Sequence, residues 1–257
     1  MVSIDLSGKN GIVFGVANER SIAWGIAQAL SGAGARLALT YQGERLKDRV
    51  ERLAGTLKNS LLLPCDATDD AQIEEVFGSL EREFGEVSFL IHSIAFANRE
   101  DLSGRFVDTG RDGFRVAMEV SAYSLLPLVR HAAPLMRDGG SVVAMTFDAS
   151  QRVYPGYNVM GSAKAALEHS VRQLAAEMGP ANIRVNAISA GPLETLAARG
   201  ISGFRDMRHA HAERSPLKRN ITVEEVAQTA LFLCSGLSSG ITGTVIPVDA
   251  GYHIMAV

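Results

Sequence analysis

Residues 11–25, GIVFGVANERSIAWG, decide how this chain folds. The run at 11–16 is apolar enough for a buried strand, and the spacing that follows predicts a helix at 21–33. Between them Gly15 opens a turn in which backbone N–H groups and a helix N-terminus can face a pyrophosphate. Because the spacing departs from G-x-G-x-x-G, a purely structural turn with Ser21 as the helix cap stays an equal alternative.

The same alternation of apolar runs and amphipathic stretches continues along the chain. Further strands are predicted at 36–40, 60–64, 88–91, 141–145, 184–189 and 244–248. Further helices are predicted at 44–54, 111–133, 158–178 and 223–234, with one more that opens at Asp69 and Asp70. This order predicts an α/β fold in which a doubly wound, parallel seven-stranded sheet carries helices on both faces. We expect a single domain over residues 1–257, with Pro127 able to kink the long helix and a mobile active-site segment in the irregular stretch 192–216.

The composition excludes several other classes of protein. The 257 residues include 25 Lys and Arg against 28 Asp and Glu, and a net charge of −3 gives no bulk attraction to nucleic acid or an anionic membrane. Cys65 and Cys234 are too few for a disulfide scaffold and indicate a reducing compartment. No apolar run approaches the ~18–20 residues that span a bilayer, and residues 1–10 lack the features of a signal peptide. We therefore expect a cytoplasmic protein with no nucleic-acid or membrane partner.

Side chains after the second and third strands could recognise the adenosine half of a dinucleotide. Gln42 is neutral and can hydrogen-bond ribose hydroxyls, whereas Arg45 could meet the 2′-phosphate of NADPH. Asp66 could accept a hydrogen bond from the adenine amino group, although helix capping, which Asp69 could equally supply, stays open. We therefore expect NADH, with NADPH as the alternative.

Tyr157 and Lys164 form the strongest local motif. Their spacing of seven residues is about two helical turns, which places both side chains near one face of the long helix that opens there. An ammonium near the phenol should favour the phenolate, and a tyrosine so tuned can donate a hydrogen bond to a carbonyl that is becoming an oxyanion. In isolation the pair would indicate a boundary tyrosine and a solvated lysine, but its place after the fifth strand of a doubly wound pattern favours a catalytic pair.

Together these features resemble the short-chain dehydrogenase/reductase family, and within it most closely the enoyl-[acyl-carrier-protein] reductases of bacterial fatty acid synthesis. The resemblance rests on RSIA at 20–23, HSIAFA at 92–97, YNVMG at 157–161, RVNAISAGP at 184–192, TLAA at 195–198 and DAGY at 249–252. It covers nearly the whole chain. It implies a Rossmann fold, NADH as cofactor, reduction of the 2,3 double bond of trans-2-enoyl thioesters on acyl carrier protein, and a homotetramer.

The resemblance also implies roles for individual residues. Tyr157 would hydrogen-bond the thioester carbonyl, and Lys164 would bind the hydroxyls of the nicotinamide ribose. The cofactor would contact Gly15, Ser21, Ile22, Gln42, Asp66, Ala67, Ser93, Ile94, Lys164, Leu193, Glu194, Thr195, Leu196 and Ala197. The substrate would contact Ala97, Tyr157, Phe204 and Met207, the last two within a substrate-binding loop at about 193–216.

One position departs from the enoyl reductase pattern. This branch usually has a second tyrosine ten residues before Tyr157, where this chain has Phe147, which carries no hydroxyl to donate. We expect Phe147 to form an aromatic wall beside the nicotinamide, and Tyr154 lacks the register to replace the missing tyrosine. The departure argues against a mechanism that uses two tyrosines more strongly than against the reaction itself.

Two other functions stay open. A carbonyl-reducing short-chain dehydrogenase would use the same tyrosine and lysine, but it normally has a serine about 13 residues before the tyrosine, where this chain has Ala144. A non-catalytic nucleotide-binding protein is the second alternative, prompted by Phe147.

The remaining charged and metal-ligating residues give weaker signals. The six histidines show no spacing typical of a metal site, so we expect none. Arg199, Arg205 and Arg208 could form a landing patch for the acidic carrier protein.

Overall fold

The computed structural model describes residues 4–201 and 203–256, apart from the side chains of Ala197 and Arg199. Its strands are β1 (Asn10–Phe14), β2 (Arg36–Tyr41), β3 (Leu61–Pro64), β4 (Phe89–His92), β5 (Gly140–Thr146), β6 (Ile183–Ala190) and β7 (Val245–Val248). Its helices are α1 (Ile22–Gly32), α2 (Glu44–Ala54), α3 (Asp70–Phe84), α4 (Arg111–Met118), α5 (Leu125–Ala132), α6 (Val159–Met178), α7 (Phe204–Arg214) and α8 (Val223–Cys234). Within these described ranges, every helix falls short of the length and apolar character that a membrane crossing requires.

The strands form one sheet in the order β3-β2-β1-β4-β5-β6-β7, and every pairing is parallel. The prediction of a doubly wound, seven-stranded α/β fold is therefore confirmed. The chain builds outward from β1 to β3, returns to β4 on the other side of β1, and builds outward again to β7. The order reverses between β1 and β4, where Phe14 pairs with His92, and such sheets bind ligands in the crevice beside this switch point.

The sheet is buried on both faces, which explains why its strands are continuous apolar runs. On one face of β1, Val13 belongs to a core cluster with Ile26 of α1 and Val226 of α8. On the other face, Ile12 and Phe14 belong to a cluster that includes residues of α3 and α5. This alternation fixes which side chains of β1 face each core, and the parallel order of the sheet places the glycine turn after β1 at the crevice.

The helix predicted at 111–133 is two helices in the structure. A π-helical turn at Glu119–Tyr123 joins α4 to α5, and the Ser124 N–H donates to the Glu119 carbonyl oxygen at 3.0 Å. Pro127 lies in the first turn of α5, where a helix needs no donor. Proline has no N–H to donate to the carbonyl four residues earlier, and the wider π-helical turn lies directly before this position. The helix is therefore interrupted at Glu119–Tyr123 and does not kink at Pro127.

The irregular segment predicted over 192–216 contains helix α7 and a 3-10 turn at Ala197–Gly200. The prediction is therefore wrong for Phe204–Arg214. Most of α7 is polar or charged and only His211 is fully buried, so the sequence lacks the apolar period by which a helix is recognised. Ser202, in the predicted substrate-binding loop, lies outside the described residues.

Candidate active site

A pocket of about 610 Å³ opens at the carboxyl ends of the central strands. The topology brings to it most of the residues that the sequence predicted for the site, from the first strand to α7. They are Gly15, Ser21, Ile22, Gln42, Asp66, Ala67, Ser93, Ile94, Ala97, Phe147, Tyr157, Lys164, Leu193, Thr195, Leu196, Phe204 and Met207.

The glycine turn after β1 is packed directly against the end of β4. Gly15 has a φ of +99°, and a Cβ at this position would lie 2.0 Å from the Ser93 carbonyl oxygen. The Ser21 hydroxyl oxygen accepts from the N–H groups of Ala17 and Asn18 at 3.1 and 3.0 Å, so it shapes the turn and caps no N–H of α1. The first N–H groups of α1, which have no intrahelical acceptor, therefore remain available to an anionic ligand.

At the ends of β2 and β3, Gln42 and Asp66 contact each other. The Gln42 amide donates to Asp66 Oδ2 at 3.0 Å, and the Thr68 N–H and hydroxyl donate to Asp66 Oδ1 at 2.9 and 2.7 Å. Although partial burial favours the neutral acid, these hydrogen bonds hold the pKa of Asp66 below its usual range. The capping alternative for Asp66 is wrong, because Asp69 accepts from the first N–H groups of α3. Arg45 is exposed and does not line the pocket.

Lys164 lines the pocket from the second turn of α6. Its ammonium is buried and donates to the Met145 carbonyl oxygen at the end of β5, at 2.8 Å. Burial lowers the pKa of Lys164 to about 8, and the nearby Glu168 carboxylate opposes this shift. The lysine is therefore held in one orientation by the sheet and is still largely protonated at neutral pH.

Tyr157 immediately precedes α6 and carries a neutral phenol. Burial raises the pKa of its hydroxyl above the ordinary value. The expectation that Lys164 would favour the phenolate is therefore wrong for the protein by itself, because the desolvation of Tyr157 outweighs any charge effect. A neutral phenol is nonetheless what hydrogen-bond donation to an oxyanion requires.

Phe147 separates two tyrosines. Its ring centroid lies 5.0 Å from that of Tyr157 and 4.7 Å from that of Tyr154. The Tyr154 hydroxyl donates to Asp148 Oδ2 at 2.9 Å, and Tyr154 lines a second cavity, of about 730 Å³, rather than the pocket. Phe147 is therefore an aromatic wall next to Tyr157, and Tyr154 is not placed to substitute for a second catalytic tyrosine.

One predicted cofactor contact, Glu194, is not among the residues that line the pocket. The exposed Glu194 carboxylate forms an ion pair with Arg208 of α7, which turns it away from the lining. This pairing could not be predicted from the sequence, because the polar residues of α7 have no apolar helical period. The side chain of Ala197 lies outside the described residues.

The pocket is also lined by residues that were not predicted from the sequence, among them Leu102, Val120 and Met160. Met160 lies three residues after Tyr157 on α6, so helical spacing could have identified it. Val120 belongs to the π-helical turn and Leu102 to a short 3-10 turn, and neither element has a sequence period that would have indicated it.

The Tyr157 phenol lies in a pocket beside the switch point of a doubly wound sheet, where such folds bind their ligands. Comparison with known proteins identifies the family. A family model described as Enoyl-(Acyl carrier protein) reductase matches residues 15–253, and the chain belongs to that family.

The relatives in this family cover essentially the whole chain. The Bacillus subtilis protein named Enoyl-[acyl-carrier-protein] reductase [NADH] FabI is 52% identical over 257 residues, which are 99% of this chain and 100% of that protein. The Rhizobium meliloti protein named Enoyl-[acyl-carrier-protein] reductase [NADH] 1 is 52% identical over 96% of this chain and 91% of its own length.

Solved structures of similar proteins have the same fold. The Bacillus cereus Enoyl-Acyl Carrier Protein Reductase with NADP+ and indole naphthyridinone superposes with a TM-score of 0.97 at 50% identity, over 98% of this chain and 100% of that one. The enzyme from Anaplasma phagocytophilum in complex with NAD has a TM-score of 0.95 at 44% identity, over 98% of this chain and 96% of that one.

Proposed function

We propose that this protein is an NADH-dependent enoyl-[acyl-carrier-protein] reductase that reduces the 2,3 double bond of trans-2-enoyl thioesters in fatty acid biosynthesis. The observation that carries the proposal is the 52% identity to the Bacillus subtilis enzyme over 99% of this chain. The pocket supports it independently, because it combines a turn suited to a dinucleotide with a neutral phenol at the reacting end.

The residues of the pocket fit a dinucleotide. At Gly15 no side chain covers the turn, and the start of α1 offers N–H groups to the pyrophosphate. Gln42 and Asp66 would hold the adenosine, and Lys164 would donate to the hydroxyls of the nicotinamide ribose. NADH, when bound, supplies the hydride for the β-carbon. We assign further cofactor contacts to the lining residues Ser21, Ile22, Ala67, Ser93, Ile94, Leu193, Thr195 and Leu196.

The protein's own contribution to the reaction is electrostatic. As hydride reaches the β-carbon, negative charge develops on the thioester carbonyl oxygen, and the Tyr157 hydroxyl donates a hydrogen bond to it. Lys164, fixed on the Met145 carbonyl, adds positive charge nearby. Phe147 carries no hydroxyl to donate a proton, and we propose that solvent water reaching the pocket protonates the α-carbon.

The acyl chain is placed against the apolar part of the lining. Ala97, Phe204 and Met207 line the pocket on the side of α7, together with Leu102 and Met160. This side offers few polar atoms, which suits a hydrocarbon tail better than a polar substrate.

A substrate comparison tests the function. NADH oxidation should be observed with crotonyl and longer trans-2-enoyl thioesters and not with a 3-ketoacyl thioester, and NADPH should be the poorer cofactor. Reduction of the ketoacyl substrate would indicate a carbonyl reductase instead. Tight NADH binding without turnover of any thioester would indicate a non-catalytic nucleotide-binding protein.

The glycine turn provides a sharp test of cofactor binding. Gly15→Ala is expected to weaken NADH binding about tenfold or more, which is at least ~1.4 kcal/mol. The added Cβ would meet the Ser93 carbonyl oxygen at 2.0 Å, so the turn must move away from the position that serves the pyrophosphate. NADH titration and thermal unfolding measure the two effects.

Gly8→Ala is the matched control for this variant. Gly8 also has a positive φ, +77°, but an added Cβ meets nothing within 4 Å. Only the conformational cost of about 1–2 kcal/mol therefore applies, and NADH affinity should be unchanged. Equal losses of NADH affinity in the two variants would contradict the close contact at Gly15.

The carrier protein is proposed to dock beside α7. Arg205 is exposed there, whereas Arg208 is paired with Glu194. Arg205→Glu should raise KM for the carrier-bound enoyl thioester about three- to tenfold and leave KM for the CoA thioester unchanged, because only the carrier is an extended acidic partner.

Two further variants separate docking from a disturbance of α7. Adding Arg208→Glu to Arg205→Glu should raise KM for both substrates, since it also breaks the ion pair between Arg208 and Glu194 that holds α7. Arg49→Glu, an exposed charge reversal on α2, is the control, and equal effects of Arg205→Glu on both thioesters would remove the docking patch.

Three broader assignments accompany this function. We propose that residues 1–257 act as a single domain, with the substrate-binding segment at about 193–216. The resemblance to the enoyl reductases further supports a homotetramer, and the few cysteines support a cytoplasmic location. Size-exclusion chromatography with light scattering tests the tetramer.

A further inference from the structure

Besides the Arg208–Glu194 pair, helix α7 packs on the rest of the protein through a histidine. His211 is 3% exposed, and it is the one fully buried side chain of a helix whose residues are all described. Phe204 and Met207 lie seven and four residues before it, so the three side chains share a face of α7. The position of His211 therefore sets where the two pocket-lining side chains lie.

The imidazole lies against the nucleotide end of the sheet. Its ring stacks on Tyr252 with centroids 4.6 Å apart and an angle of 22°. A Cβ at Gly191, directly after β6, would lie 2.9 Å from His211 Nε2. Gly191 is itself part of the pocket lining, so His211 connects the acyl side of the pocket to its cofactor side.

The environment of His211 suits a neutral ring. Neither ring nitrogen has a hydrogen-bond partner among the described residues, and neither has Asn220 Oδ1, which is buried nearby. Burial lowers the pKa of His211, and Asp249, Asn220 and Asp148 oppose this shift without reversing it. An imidazolium here would be a largely desolvated charge, with the neutral Asn220 amide oxygen rather than a carboxylate as its acceptor.

The charged groups around the His211 ring already have other hydrogen-bond or ion-pair partners. Asp249, at the end of β7, accepts from the N–H groups of Gly251 and His253 and contacts the His253 ring at 3.0 Å. Asp148, after β5, is bound by Tyr154 and by Arg152. On α7 itself, Arg208 pairs with Glu194 and His209 with Glu213, and Arg214 lines the second cavity.

We propose that neutral His211 is the positioning residue that holds α7, with Phe204 and Met207, against the cofactor end of β6, and that protonation of its ring releases α7 and weakens binding of the acyl substrate. The proposal rests on the enoyl reductase function given above. The pKa of His211 is lower when α7 is held in place than when α7 is released. The free energy that the neutral ring contributes to the held position of α7 is therefore fully present above the ordinary histidine pKa of about 6.5. This contribution is lost as the pH falls below that value.

Steady-state kinetics with an enoyl-CoA thioester test the effect on substrate. In the wild type, KM should be about three- to tenfold higher at pH ~5.5 than at pH ~7.5, with a smaller change in the Kd of NADH. His211→Phe keeps the stack on Tyr252 and cannot be protonated, so its KM should stay within about twofold over this range. His209→Gln changes an exposed histidine on the same helix and should keep the wild-type pH dependence. A pH-dependent KM in His211→Phe, or its loss in His209→Gln, would overturn the proposal.

Hydrogen exchange of the α7 amides tests the same release without relying on catalysis. At pH ~5.5 the wild type should exchange faster in α7 than His211→Phe, and at pH ~7.5 the two should be equal. If the wild type and His211→Phe exchange their α7 amides at equal rates at pH ~5.5 as well, the role of His211 is refuted whatever the substrate. If α7 behaves as expected but no enoyl thioester is reduced, the proposed function fails and the anchoring role of His211 stands.

Discussion

Replacing Tyr157 with phenylalanine is expected to lower kcat for an enoyl thioester about 10²–10³-fold, the usual loss when one oxyanion donor is removed. The Kd of NADH should change less than about twofold, because the substitution keeps the aromatic ring against Phe147 and leaves Lys164 on its carbonyl anchor. Stopped-flow reduction and NADH titration measure the two quantities separately.

Tyr154→Phe is the matched control for Tyr157→Phe. It removes the same hydroxyl from the tyrosine on the other side of Phe147, where that hydroxyl serves Asp148 and the second cavity. We expect its kcat to stay within about threefold of the wild type. A Tyr157→Phe variant with wild-type kcat would mean that another group donates to the carbonyl oxygen, and comparable losses in both variants would indicate a general disturbance of the aromatic wall.

The second large effect is expected at Lys164. Lys164→Ala should weaken NADH binding about 100-fold or more, because it removes a pre-oriented ammonium from the place proposed to bind the ribose hydroxyls. In the wild type, NADH affinity should fall as the pH rises through about 8, since burial lowers the pKa of Lys164 to about 8 and the neutral amine is the weaker donor. This decline should be absent from the Lys164 variant.

Removing Lys164 alone is also expected to lower the stability of the fold. Glu168 is buried and accepts from the Thr146 hydroxyl at 2.8 Å, so loss of the nearby cation leaves a carboxylate without compensation. The double variant Lys164→Met and Glu168→Gln avoids this charge and should unfold close to the wild-type Tm while still failing to bind NADH. If the double variant binds NADH as the wild type does, the role assigned to Lys164 is wrong.

The sequence predicted the features that depend on local pattern. Residues 11–16 are apolar throughout because both sides of β1 are covered, and the glycine turn follows the strand at the crevice because parallel sheets place their loops there. Gln42 and Asp66 were identified for the same reason, since each follows the carboxyl end of a strand.

The features that the sequence did not predict depend on tertiary structure. The interruption at Glu119–Tyr123 and the helix at Phe204–Arg214 have no apolar period of their own, and both are defined by packing against the pocket. The direction of the Tyr157 pKa shift required knowledge of burial, which a spacing of seven residues cannot supply. The orientation of Glu194 required its partner Arg208 to be on a helix.

The hydrogen bond between Gln42 and Asp66 has a consequence for the evolution of coenzyme preference. A mutation that places a cation at position 42 would create, within hydrogen-bond reach, a salt bridge to Asp66 before any 2′-phosphate is present to compete for it. The Asp66 carboxylate would then be diverted from the adenine contact proposed for it, and the new cation would be neutralised. A change of preference from NADH toward NADPH is therefore expected to require substitutions at both positions.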